Sequence, residues 1–149
     1  SSLRISELMF NQPGSDDAEF IELLNLSTNQ TIDLAGIRFS DGINFTFSSG
    51  SLAPGERVVV TRDVTAFQLV YGAGINVVGP FASGGLNNTG ETIELTDSVG
   101  FPMQIFSYSC AWFPHTDGAG FSLTSVDAII PLTYLNLYSA WRRSGEHTS

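Results

Sequence analysis

Turn residues break the chain repeatedly, at Pro13-Gly14, Asp41-Gly42, Ala53-Pro54-Gly55 and Asp97-Ser98-Val99-Gly100, and the runs between them are short and rich in β-formers. Inside many of these runs apolar and polar residues alternate, which places successive side chains on opposite faces of a strand. A chain so punctuated folds as layers of strands joined by tight connections. No internal repeat of solenoid or propeller length appears, so the layers predict a sandwich or barrel and not an array.

The first run, Leu3 to Phe10, ends at Pro13-Gly14. In Glu19 to Asn25, Ile21 and Leu23 share one face while Phe20 and Leu24 share the other, which predicts a central strand. Ile32 to Phe39 reads as extended with an interruption at Gly36, and Asp41-Gly42 closes a hairpin. Ile43, Phe45 and Phe47 fall on one face of the next strand; this aromatic stripe reads as sandwich core, with a ligand platform as the alternative. Val58 to Val60 is a β-branched strand after the turn at Pro54-Gly55. Asp63 to Tyr71 is the single helical segment: Asp63 caps it, and Phe67, Val70 and Tyr71 form an apolar face expected to close the end of the sandwich.

Beyond the helix, Val77 to Phe81 and Thr92 to Thr96 read as strands joined by the loop Ser83 to Gly90. Pro102 to Tyr108 sets Met103, Ile105 and Ser107 against Gln104, Phe106 and Tyr108, and Phe121 to Val126 is the last clear strand. In the tail from Asp127, Trp141 is expected to anchor the chain back to the sheet.

The 149 residues suit one domain, 1–149, and a hydrophobic fraction of 42% against 14% charged lets it bury a core. The start, Ser1-Ser2-Leu3, lacks the order of a signal peptide, and no apolar run is long enough to span a bilayer; the chain reads as a domain from a longer protein. Net charge is −9, with arginine the only basic residue besides two histidines, which disfavours nucleic acid and anionic membranes as partners. A single cysteine, Cys110, excludes an internal disulfide and reads as a small buried hydrophobe.

No constellation for catalysis emerges. His147 lies at the end of the chain, leaving His115, beside Asp117, as the one acid–base candidate, and both read as loop residues. Gly120-Phe121-Ser122-Leu123 lacks the second glycine of a nucleophile elbow. Asp16, Asp17 and Glu19 form the densest acidic cluster and are candidate calcium ligands, although a solvated acidic turn explains them as well. No other cofactor is implied. Glu22 shares a face with Phe20 and Leu24, so its carboxylate must reach solvent or accept hydrogen bonds; pinning a neighbouring loop is the expected role. Loops 11–18, 83–90 and 112–120 are the candidate contact surface, with Trp112 and Phe113 able to stack on sugar rings, enter a protein groove, or simply edge the core.

Several stretches resemble the lamin tail domain. Ile5-Ser-Glu-Leu-Met-Phe10 is similar to its opening strand, and Glu19-Phe-Ile-Glu-Leu-Leu-Asn25 to its most recognisable motif. Ile32-Asp-Leu-Ala-Gly36, Leu52-Ala-Pro-Gly55, Asn88-Thr-Gly-Glu-Thr-Ile-Glu-Leu95, Asp117-Gly-Ala-Gly-Phe-Ser-Leu123 and Trp141-Arg-Arg-Ser144 follow in the family's order, while its closing Gly-x-Pro-Gly is absent. The resemblance, which extends over nearly the whole chain, implies an all-β fold: an immunoglobulin-like antiparallel β-sandwich with one short helix. It marks Glu22, Asn25, Gly36 and Trp141 as structural positions. In function it implies a non-catalytic binding or tethering module of a secreted or surface-associated bacterial protein, with a protein or polysaccharide partner. The alternatives are a structural, chromatin-facing tail like that of nuclear lamins and a calcium-dependent glycan-binding module.

Overall fold

The structure, a computed structural model, describes residues 2–9, 19–81, 83–84, 90–109, 123–125 and 141–143. Strands β1 (Leu3–Met9) and β2 (Phe20–Asn25) pair antiparallel, from Leu3 opposite Asn25 to Met9 opposite Phe20. The register slips once, where Ile5 faces Leu23 and Glu7 faces Glu22, so Ser6 is the extra residue of a bulge. On the far side of β2 lie β7 (Arg57–Thr61) and then β8 (Val77–Val78); on the far side of β1 lie β12 (Leu123–Ser125) and β13 (Trp141–Arg143). β2 is thus central, as its two apolar faces predict.

The second sheet holds β4 (Arg38–Asp41), β5 (Ile43–Thr46), β9 (Ser83–Gly84), β10 (Gly90–Thr96) and β11 (Pro102–Ser109), in the order β11-β10-β4-β5-β9. A short pair, β3 (Ile32–Asp33) with β6 (Ser51–Leu52), accompanies them. Ile5, Leu8, Ile21, Leu23, Val58 and Val60 from the six-stranded sheet join Phe39, Ile43, Ile93 and Leu95 from the five-stranded sheet in one buried cluster. Burying each such side chain contributes about 1.5–3 kcal/mol, so this cluster is the main source of stability. Of the sandwich or barrel that the strand pattern predicts, the chain forms the antiparallel sandwich, of the immunoglobulin-like type that the resemblance implies, with one parallel pair, β7 with β8.

That parallel pair corrects the expected placement of the helix. Parallel neighbours need a long crossover, and here it is α1 (Val64–Tyr71), which runs over the outer face of the six-stranded sheet instead of closing the sandwich end. The outward residues Met9, Phe20 and Val59 are buried beneath Phe67. Phe20 meets Phe67 and Tyr71 edge-on, at ring-centroid distances of 5.5 and 5.6 Å. Asp63 caps the helix by accepting a bond from the Ala66 amide at 3.1 Å. Val70, expected on the packed face, is exposed, while Phe67 is the buried residue of the helix and Tyr71 meets Phe20.

Boundaries shift where turns intervene. The expected strand Ile32 to Phe39 is divided by a turn in which the Ile37 amide bonds to the Leu34 carbonyl. Gly36 occupies its third position at φ +83°, and a Cβ there would lie 2.7 Å from Ser98 Cβ, so both conformation and space require glycine. The run Val77 to Phe81 contracts to Val77–Val78, and the expected loop from Ser83 contains the short pairing strand β9.

Candidate functional site

The Glu19–Asn25 strand carries three polar residues whose placement follows from its centrality. Glu19 is buried, with its carboxylate 4.0 Å from the Arg62 guanidinium, while its carbonyl accepts bonds from the Thr61 hydroxyl and the Arg62 amide. Its candidate calcium partners Asp16 and Asp17 lie outside the described residues. Among the described residues no three acidic, histidine or cysteine side chains are grouped as metal ligands.

Glu22 points outward from β2 and joins strands, not a loop. Its Oε1 accepts a 2.7 Å bond from the hydroxyl of Ser6, the bulge residue of β1, and lies 3.3 Å from Arg57 Nε on β7. The one carboxylate therefore ties three adjacent strands on the sheet's outer face. Ser6 is buried, so its closeness to a carboxylate does not expose a nucleophile to substrate.

Loop pinning falls instead to Asn25, which is 0% exposed. Its Nδ2 donates to the Gln30 and Leu52 carbonyls, each at 2.9 Å, and its Oδ1 accepts from the Ser27 amide at 2.9 Å and the Ser2 hydroxyl at 3.3 Å. The backbone of Asn25 bonds to Glu56 and Gly55. One uncharged side chain thus fixes the loop after β2 and strand β6, while the backbone of the same residue holds the turn at Pro54-Gly55.

Gln104 is a buried polar position the sequence pattern leaves ambiguous. It is 2% exposed, and its Oε1 accepts a 2.9 Å bond from the Ile5 amide beside the β1 bulge, joining the two sheets. Its Nε2 is buried without a hydrogen-bond partner among the described residues. A register shift opposite Leu95 and Thr96 sets this phase, so Gln104 turns inward and Ile105 turns out, 51% exposed. Alternation alone shows the two faces but not which one is inner.

Among the described residues, large apolar side chains are exposed in two segments. Val99, Phe101 (68% exposed) and Ile105 lie on the hairpin of β10 and β11, whose turn is held by Asp97: its Oδ1 accepts from the Val99 and Phe101 amides at 3.0 and 2.9 Å. Leu69 (84% exposed), Val70, Tyr71 and Ile75 lie at the end of α1. A third feature is a cleft of about 300 Å³ lined by Phe45 to Ser49, Val78 and Gly79. Trp112, Phe113, His115 and Asp117 lie outside the described residues. Trp141 opens β13, where its backbone pairs with Ser125 at the edge of the six-stranded sheet. No helix among the described residues is long and apolar enough to cross a membrane.

Comparison with curated proteins and with solved structures gives no match. The family model described as Lamin Tail Domain matches residues 1–110, which takes in β1 to β11, and stops short of β12, β13 and the resembling stretches at Asp117–Leu123 and Trp141–Ser144. With most of its length matched and the antiparallel strand architecture in place, the chain belongs to the lamin tail domain family.

Proposed function

We propose that this domain is a non-catalytic binding or tethering module of a secreted or surface-associated bacterial protein, with a protein or polysaccharide as its target. The observation that carries the reading is the exposed apolar group Val99, Phe101 and Ile105 on a hairpin whose turn Asp97 holds rigid. Exposed apolar side chains presented together on a fixed scaffold favour association, because their contact area is removed from water with little ordering cost. The polar constellations that could resemble a reactive site, Ser6 with Glu22 and Glu19 with Arg62, are used in joining strands.

The chromatin-facing alternative draws no support from charge, since 15 acidic residues face only 6 basic ones. The test is retention of a fluorescent fusion of the domain on bacterial cell-wall, polysaccharide and surface-protein fractions. Phe101→Ser combined with Ile105→Thr should lower retention about tenfold or more while leaving the melting temperature within a few degrees. Equal retention of variant and wild type on every fraction that binds would contradict the reading. Turnover of any substrate by the domain would contradict its non-catalytic part.

A further inference from the structure

We propose that the cleft between the edge of β5 and the chain at Val78–Gly79 is a binding site for one ring of a neutral carbohydrate. The site is separate from the β10–β11 hairpin, because β5 and β11 lie toward opposite sides of the five-stranded sheet. The inference therefore stands or falls independently of the hairpin's role.

The aromatic stripe of β5 ends here. Phe47 is buried in the core, whereas Phe45 is only half-buried, and the two rings meet edge-to-face with centroids 5.1 Å apart at 89°. Phe47 thus fixes the orientation of the ring beside it, and Phe45 lines the cleft. A rigid aromatic ring with part of its surface open suits the C–H face of a pyranose, which is apolar and slightly positive at its hydrogens.

Backbone geometry supplies the polar half. The amide of Phe47 donates to the Ile37 carbonyl and its carbonyl accepts from the Gly36 amide, so both groups of Phe47 face the turn leading into β4. In an extended strand the neighbouring residue faces the opposite way, which turns the N–H and C=O of Thr46 toward the cleft. The strand on that side, β9, pairs only with Ile43 and Asn44 and ends before Thr46 is reached. Thr46, Ser48 and Ser49 add three hydroxyl groups to the lining residues.

Size and charge narrow the ligand class. About 300 Å³ is at the small end of ligand sites, enough for a single sugar ring and not for an extended peptide of several residues. Among the described residues no charged side chain lines the cleft, so a phosphate or carboxylate would lose its hydration without an ionic partner there, while a neutral polyol would keep its hydrogen bonds. Gly79 adds no side chain to the wall, and a Cβ there would collide with the Thr61 carbonyl oxygen, which keeps that wall bare.

The test is an amide-shift titration of the full chain with the methyl glycosides of glucose, galactose, mannose and N-acetylglucosamine. At least one glycoside should give saturable shifts, at millimolar concentration, at Thr46, Phe47, Ser48, Ser49, Val78 and Gly79. Phe45→Leu should weaken that binding about tenfold by removing the aromatic face. If that variant is unfolded, Ser48→Ala with Ser49→Ala, both at exposed positions, takes its place and should weaken binding at least about threefold. Val70→Ser, on the exposed side of α1, should bind the glycoside as wild type does. The proposal is overturned if no glycoside gives saturable shifts, if the shifts map elsewhere, or if the folded cleft variant binds unchanged.

Discussion

Asn25 and Glu22 occupy the same strand three positions apart, yet the structure assigns them different weights. Every polar atom of the Asn25 side chain is buried and engaged, so Asn25→Ala strands the Gln30 and Leu52 carbonyls and the Ser27 amide. We expect a loss of about 3 kcal/mol, read from urea unfolding, because orphaned buried groups cost more than the bonds themselves are worth. Glu22 pairs with an Arg57 whose side chain is largely exposed, so Glu22→Gln should cost less than about 1 kcal/mol in the same measurement. A larger loss for Glu22→Gln than for Asn25→Ala would invert the assignment. The sequence marks both residues as structural through the motif that holds them, but not their partners: Ser6 reaches Glu22 across a one-residue bulge, and no periodic pattern announces where a bulge falls.

At the scale of elements, the legible parts are those governed by local chemistry. Apolar residues on both faces place β2 at the centre of its sheet, Asp63 caps α1, and glycine turns divide the strands. What escapes is the parallel pairing of β8, because two valines carry no signal of strand direction; with it escapes the reason that α1 crosses the sheet face. The burial of Phe67 against Met9, Phe20 and Val59 makes a direct prediction for thermal unfolding. Phe67→Ala should destabilise by about 3–5 kcal/mol, whereas Val70→Ser, on the exposed side of the same helix, should stay within about 0.5 kcal/mol. Equal effects would place the helix on the wrong face. The exposed Ile105 escapes sequence reading for a related reason, since a register shift between β10 and β11 decides which alternate side chains turn inward.

For the molecule as a whole, stability depends on two sheets sharing one apolar interior, and surface function depends on that interior being rigid. Gln104 is a polar link across it: Gln104→Leu leaves the Ile5 amide unsatisfied and should cost about 1–3 kcal/mol in unfolding free energy. The sequence makes the two-layer class legible through turns and alternation, but the alignment of the layers depends on contacts such as Gln104 with Ile5, 99 residues apart, which leave no local trace. The most direct test is a set of through-space methyl and aromatic contacts measured by NMR. Side chains of Ile5, Ile21, Leu23, Val58 and Val60 should show cross-sheet contacts to Phe39, Ile43, Ile93 and Leu95. Contacts confined within each sheet, with none crossing between these two groups, would contradict the shared core.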